Sequence, residues 1–402
     1  MGRRVAARFL VGVAVSTFGD WLTALALAVV LYEATGSVVA TAGYVLVRFA
    51  PRPLGSWIAG GLGDRVDQRL AIAGAAIVQG GLTATLVLPL WAGHDLWLIY
   101  VLAGLSQLVG GAWQPLTGAL MARLARGDAR HTLNFAYSLL GSGAMLVAPA
   151  LGAVLLPLCG AVPLVLGDAA TFVIAAALFV SLPPQDRLDV PRATIRGAAF
   201  QGFLTAFRQP TLRVVATGAF SAALVITALQ AILPALAAER LGTAANAGLC
   251  YGAVGLGGIL GSLLALWRPM RRPQVILPGL LAEIAGIGAV ALTGAPAADL
   301  ILLAASTASA NLAQVESGVV VQSQPSGTVA RVQGAVSTAR YTGMMAGATI
   351  ALLLALKVGW PELILILTAV GLVALGGSAF GPRGQGAMAT ATPASPLGDI
   401  PD

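Results

Sequence analysis

Charge is scarce in this sequence. Only 10% of its 402 residues are Asp, Glu, Lys or Arg, while 57% are hydrophobic and the mean hydropathy is +0.87. A soluble domain carries about 25% charged residues, so the composition excludes an ordinary soluble enzyme or nucleic-acid-binding domain. Lysine is scarcer still, with Lys357 the single example. Without a lysine in a glycine-rich loop there is no Walker-type nucleotide site. The run Gly255-Leu256-Gly257-Gly258-Ile259-Leu260-Gly261 lies inside an apolar stretch with no strand before it, so it is not read as a dinucleotide loop. Two cysteines, Cys159 and Cys250, cannot build a disulfide framework, and His94 and His131 sit alone in expected loops. No metal, nucleotide, nucleic acid or organic cofactor is expected, and no nucleophile–base pair for an enzyme is visible. The strict alternation of an outer-membrane barrel is missing too.

What fills the chain is a series of apolar runs of about 20 residues, each enough to cross roughly 30 Å of hydrocarbon as a helix. The fold class is therefore all-α, an integral membrane helical bundle. Twelve spans are expected, at roughly 9–33, 38–62, 69–91, 96–124, 132–158 and 163–183, then 213–238, 247–268, 274–293, 299–322, 332–357 and 362–380. This divides the chain into a six-helix bundle over 1–183, a linker over 184–212, a second six-helix bundle over 213–380 and a tail over 381–402. Met1-Gly2-Arg3-Arg4 runs into the first apolar stretch without a small-residue cleavage site, so that stretch is read as a retained span. In the linker, Ala199, Phe203 and Phe207 at helical spacing predict an amphipathic helix lying on the membrane surface. The tail, rich in Gly, Pro, Ala, Ser and Thr, is expected to be disordered. Arginines gather before span 1, after spans 2, 8 and 10, around the 4–5 loop and in the linker, while the alternate loops hold only Arg240 and Lys357. By the positive-inside rule both termini and the linker are cytoplasmic. Two six-span halves joined by a cytoplasmic linker form the plan of a secondary transporter.

Gly60-Gly61-Leu62-Gly63-Asp64-Arg65, followed by Arg69, resembles the loop 2–3 signature of the major facilitator superfamily, with Asp67 and Gln68 in place of the usual glycine and first arginine. The resemblance implies that Gly60, Asp64, Arg65 and Arg69 form a conformational latch. In it Asp64 engages basic partners and a helix N-terminus of the second half in the outward-open state, where a carboxylate is favoured. Phe18-Gly19-Asp20-Trp21, Asn134 and Leu166-Gly167-Asp168-Ala169-Ala170-Thr171-Phe172 together resemble the drug:proton antiporter branch that includes macrolide and siderophore exporters, as does Tyr251-Gly252-Ala253-Val254-Gly255 through Ser262. Ala144 to Ala153 resembles the glycine-proline motif of exporter span 5. Pro149 and Gly152 match it, and alanines replace three glycines. Small residues there are expected to allow close packing on span 8. This family resemblance implies export of amphipathic small molecules, driven by the proton gradient, from a multi-pass monomer in the cytoplasmic (inner) membrane of a bacterium. Its partners are then membrane lipid and the substrate alone.

Charges inside hydrocarbon cost several kcal/mol and are functional candidates by default. Asp20 sits near the middle of span 1 with Ser16, Thr17 and Thr23 on one helical stripe. Desolvation favours the neutral form of a carboxylate, so Asp20 is the first proton-coupling candidate, and the rival reading is a carboxylate held by an arginine. Arg48 and Arg52 share a face of span 2. Counted from the span ends, Asp20 and Arg52 lie about eleven and ten residues deep, at similar height by the 1.5 Å helical rise, so they are an expected pair. Pro51 and Pro53 predict a kink there. The same count pairs Glu316, the second proton-coupling candidate, with Arg340. Glu283, in a span peripheral in the family fold, reads as a structural partner, and Asp168 as a helix-end packing residue.

The substrate surface is expected from Trp21, Tyr44, Gln107, Trp113, Gln114, Tyr137, Ser138, Gln230, Tyr251, Asn311, Gln314, Tyr341 and Met344. Aromatic rings and methionine with sparse hydrogen-bonding groups suit a bulky amphipathic ligand. Gly257 and Gly261, like Gly248 and Gly252, have the four-residue spacing that lets helices approach closely, either to slide or simply to pack. Two rivals to an exporter stand: an importer of the same fold, and a non-transporting membrane receptor or assembly subunit.

Overall fold

The computed structural model describes residues 3–35, 38–92, 95–184, 195–242, 247–267, 273–325, 327–354 and 357–379. Sixteen α-helices and no strand occur among the described residues. Span 1 is α1 (Arg3–Thr35). Spans 2, 3 and 4 are each two helices: α2 (Val38–Phe49) with α3 (Arg52–Leu62), α4 (Gln68–Thr85) with α5 (Val87–Ala92), and α6 (Leu96–Gly110) with α7 (Trp113–Leu124). Spans 5 and 6 are α8 (Asp128–Cys159) and α9 (Ala161–Val180), and α10 (Ile195–Arg208) lies in the linker. Spans 7 to 12 are α11 (Pro210–Arg240), α12 (Ala247–Leu264), α13 (Ile276–Val290), α14 (Pro296–Gln322), α15 (Val329–Leu354) and α16 (Trp360–Ala379). The tail, residues 185–194 of the linker, and His94 lie outside the described residues. His131 does not sit in a loop as expected; it is on the first turn of α8.

Eight of these stretches are long and apolar enough to cross a bilayer unaided. Their outward faces carry Ile77, Val78, Val173 and Ile301, each about half exposed or more, as lipid-facing surface does. Trp91 and Trp97, at the 3–4 connection, are also exposed, the position of interfacial aromatic residues.

Span 2 breaks at Ala50 and Pro51, because proline has no N–H to continue the ladder and its ring crowds the preceding turn. Span 4 breaks at Gly111 and Ala112. The two interruptions lie against each other. Gly55 faces the Leu108 carbonyl and Gly111 faces the Arg52 carbonyl so closely that neither position has room for a Cβ. Backbone contact of this kind fixes where the Arg52 side chain starts.

Each half has its own core. In the first, Phe9 and Trp113 meet Phe179 edge to face at 5.8 and 5.6 Å, over Leu120, Met121 and Phe172. In the second, Leu229, Leu233, Ile284, Leu303 and Leu367 are fully enclosed. Across the seam, span 11 packs on spans 2 and 4, and span 5 packs on spans 8 and 10. Adding or subtracting six converts one set into the other, which is the pattern of two equivalent bundles related by a pseudo-two-fold axis.

The linker helix does not simply lie on a membrane surface. Its small residues Ala198, Ala199 and Ala206 are buried, and Gly202 meets the Arg331 backbone, so α10 docks over the ends of spans 2 and 11. Phe200, Leu204 and Phe207 point outward instead. Ala199 and Phe203, both expected on the membrane face, turn inward instead: Ala199 is buried on the docked face and Phe203 packs, half-buried, against the core of the second half.

Candidate functional site

Between the halves lies a cavity of about 410 Å³, lined from both. Spans 1, 2 and 4 contribute Asp20, Trp21, Arg48, Arg52, Trp113 and Gln114; span 5 contributes Tyr137 and Ser138. The second half supplies Gln230, Asn311, Gln314, Arg340, Tyr341 and Met344. Three expected lining residues are elsewhere. Tyr44 is buried in a small core with Leu27 and Leu31. Gln107 is buried behind the wall, and Tyr251 is 39% exposed on the outside, donating to the Gln230 carbonyl at 3.3 Å.

The charged residues find partners other than those expected. Arg52 does not pair with Asp20: its Nε donates to Gln107 Oε1 at 2.7 Å, its Nη2 reaches the same oxygen, and its guanidinium stacks 5.4 Å from the Tyr341 ring and 5.9 Å from Phe49. The kinked backbone turns Arg52 toward span 4, which counting of helical rise cannot register. Arg48 lies 5.7 Å over Trp21. Asp20 faces the cavity, and Asp168 stands directly behind it: Asp168 packs on Gly19, bonds Thr171 and lies close enough for the two carboxylates to feel each other's charge. Asp168 is 2% exposed and well inside span 6, not at a helix end as expected.

Glu316 likewise does not pair with Arg340. Its Oε1 lies 3.1 Å from His131 Nδ1 of span 5, across the seam, while Arg340 Nη1 donates to Gln314 Oε1 at 2.7 Å. Span 11 begins at Val329, so Arg340 lies eleven residues from its start while Glu316 lies six from the end of span 10; the two stand at different depths, and Arg340 lines the cavity whereas Glu316 does not. Glu283 is not a peripheral packing residue: it lines the cavity, feels the charge of Arg340, and its Oε2 has no hydrogen-bond partner among the described residues.

The seam is sealed at the end that carries the 2–3 turn and α10. There Asp64, 1% exposed, accepts hydrogen bonds from the backbone N–H groups of Ala330 (2.9 Å) and Arg331 (3.2 Å), the first turn of span 11. The Arg331 guanidinium adds a contact at 3.7 Å. Burial pushes the Asp64 carboxyl above its ordinary range, against the opposing pull of the two N–H groups and of Arg331 and Arg123. The backbone N–H groups are what make a buried charge tolerable here. Beside it, a Cβ on Gly60 would stand 2.9 Å from Gly334 Cα, and one on Gly334 would stand 2.6 Å from Gly60 Cα. Ser56 donates to the Gly334 carbonyl at 3.2 Å. On the other flank, Asn134 and Gln322 exchange amide hydrogen bonds at 2.9 and 3.0 Å, and Ser138 and Ser142 donate to Asn311 at 2.9 and 3.3 Å.

The remaining expected residues divide by half. Arg65 follows Asp64 in the turn, half-buried. Arg69 does not reach the second half; it bonds Asp67, which caps α4, and the Leu182 carbonyl at the end of span 6. Gly152 packs on Leu22 and Leu25 of span 1, not on span 8 as expected, and the Pro149 side chain lies outside the described residues. Gly257 and Gly261 press on the Ala304 and Ala308 carbonyls of span 10, inside one half. The adjacent stripe, Gly255, Gly258 and Ser262, is the one that faces span 5.

A family model described as Major Facilitator Superfamily matches residues 9–348. The chain belongs to that superfamily, and its fold is the twelve-helix, two-bundle fold of the family's transporters. Among solved structures it is similar to a bacterial homologue of the iron transporter ferroportin in an outward-facing state (16% identity, 93% of this chain and 98% of that chain, TM-score 0.78). It is also similar to the human organic anion transporter MFSD10 (18%, 93% and 98%, TM-score 0.74) and to the Escherichia coli fucose:proton symporter FucP (17%, 92% and 98%, TM-score 0.68). No curated protein sequence matches significantly. Family and neighbours point to a transporter and away from an enzyme.

Proposed function

We propose that this protein exports amphipathic small molecules across the cytoplasmic membrane of a bacterium by proton antiport with alternating access. The observation that carries the reading is the seam cavity: about 410 Å³, built equally from both halves, and closed at one end by contacts that all cross between them. Trp21, Trp113, Tyr137, Tyr341 and Met344 offer apolar and aromatic surface to a bulky ligand, and scattered amides orient it. The resemblance of the Asp20 and Asp168 segments to drug:proton antiporters supports the exporter reading over an importer. With the arginine-rich end cytoplasmic, the closed seam is the cytoplasmic gate and the state is outward-facing.

In this scheme Asp20 takes a proton from the outer side, with Asp168 behind it as its electrostatic partner. Losing the Asp20 charge changes the balance with Arg48 and Arg52 across the same cavity and favours the alternate state. The seam then opens, and Asp64 leaves the Ala330 and Arg331 N–H groups. Glu316, bonded to His131 across the seam, acts on the gate itself. Energy comes from the gradient and no cofactor is used. The test is uptake of a fluorescent amphipathic substrate into inverted vesicles under an imposed pH gradient. Uptake that ceases when a protonophore collapses the gradient, and that Asp20→Asn abolishes, supports the scheme. Uptake indifferent to the gradient removes proton coupling, and flux in the opposite direction favours the importer.

A further inference from the structure

We infer that the substrate carries an anionic headgroup, a carboxylate, sulfonate or phosphate, clamped at the seam by Arg52 of the first half and Arg340 of the second. The inference deepens the transport reading and rests on the seam cavity being the substrate site. Three guanidiniums, Arg48, Arg52 and Arg340, line that cavity, against two carboxylates, Asp20 and Glu283. Among the described residues no carboxylate oxygen comes within 4.0 Å of any of the three guanidiniums.

Their hydrogen-bonding and stacking partners are neutral; Glu283 lies near enough to Arg340 for the two charges to interact, but not in contact with it. Arg52 spends Nε and Nη2 on one amide oxygen, Gln107 Oε1, and lies against two rings; Arg340 spends Nη1 on Gln314; Arg48 lies over Trp21. An amide oxygen satisfies donors without neutralising charge, and a cation in a low-dielectric interior is costly unless a counter-charge approaches. Among the described residues, Arg52 Nη1 and Arg340 Nε and Nη2 have no acceptor and are not sealed from the cavity. A planar guanidinium edge left open in this way is the donor geometry that fits a carboxylate or other oxyanion. Arg52 stacks on Tyr341 across the seam, and Arg340 lines the same cavity from span 11, so the two open edges are presented to one cavity from opposite halves. The rings of Trp21 and Trp113 and the Met344 side chain then receive the apolar body.

The test compares three probes of one shape: 4-(1-pyrenyl)butanoate, its uncharged primary amide, and the corresponding cationic amine. Binding to the full chain in lipid nanodiscs is read by tryptophan-to-pyrene energy transfer, with empty discs subtracted. The butanoate is expected to bind at least about tenfold tighter than the amide, and the amine weakest. Arg52→Gln with Arg340→Gln reduces butanoate affinity to the level of the amide, while Arg52→Lys with Arg340→Lys keeps most of the preference. Equal or tighter binding of the amide or amine to the unaltered protein overturns the inference. So does absence of saturable butanoate binding, or a preference that survives in the double glutamine variant. Butanoate-selective binding without gradient-driven flux in the vesicle assay overturns the transport reading and leaves this one standing.

Discussion

At the scale of single residues, the clearest link between chemistry and motion is Asp64. Its two oxygens meet two consecutive N–H groups at the start of span 11, with Arg331 beside them. Asp64→Asn keeps the volume but loses the charge and one acceptor, costing the closed gate about 1–2 kcal/mol, roughly a tenfold shift toward the open gate. The variant is expected to slow gradient-driven transport while leaving ligand affinity nearly unchanged. Equilibrium binding alongside flux checks this, and lost affinity with normal flux would contradict it. Gly60 and Asp64 were readable in the turn from their places along the chain, whereas Arg69, expected in the same latch, stays with Asp67 and Leu182 of the first half. The cavity charges were legible as candidates but not as pairs. Counting about 1.5 Å per residue gives height only as well as the helix ends are placed, and span 11 begins at Val329, before the expected 332; it says nothing of azimuth. Arg52 therefore went to Gln107, expected on the substrate surface, and Glu316 to His131, expected in a loop; neither was legible as a charge partner.

At the scale of helices, two kinds of close contact differ in consequence. Gly60 and Gly334 meet across the seam, where the proposed cycle requires the contact to break. Gly261 meets Ala308 inside one half, where it need never break. Gly334→Val should hold the gate open with little loss of thermal stability, checked by labelling a cysteine placed at Ser56 (0% exposed when the gate is closed). Gly261→Val should instead lower the melting temperature, by overpacking worth about 1–3 kcal/mol, without biasing the gate. If both variants lower stability alike and neither changes labelling, the distinction between moving and static faces is wrong. The four-residue glycine spacing in span 8 was visible in the sequence, but which of its stripes faces the other half was not: Gly257 and Gly261 turn inward and Gly258 faces Ser142. The break in span 2 was legible from Pro51, whereas that in span 4 at Gly111 has no proline at the break itself and depends on contact with span 2.

At the scale of the whole molecule, twelve spans and two halves were legible because arginine alternates between loops and hydrocarbon demands long apolar helices. Contacts across the seam were not, since they depend on how two separately stable bundles dock. Those contacts, span 11 on spans 2 and 4 and span 5 on spans 8 and 10, form one symmetric surface, which the proposed cycle opens as a unit. The most direct measurement is the distance between spin labels at Arg126→Cys and Ser323→Cys, exposed sites on opposite halves near the sealed end, in a chain with Cys159 and Cys250 replaced by serine. The account predicts two distance populations, one short and matching the closed seam and one longer, with a ratio that pH shifts in one direction and bound substrate in the other. A single short distance that neither pH nor ligand moves would contradict alternating access through this seam.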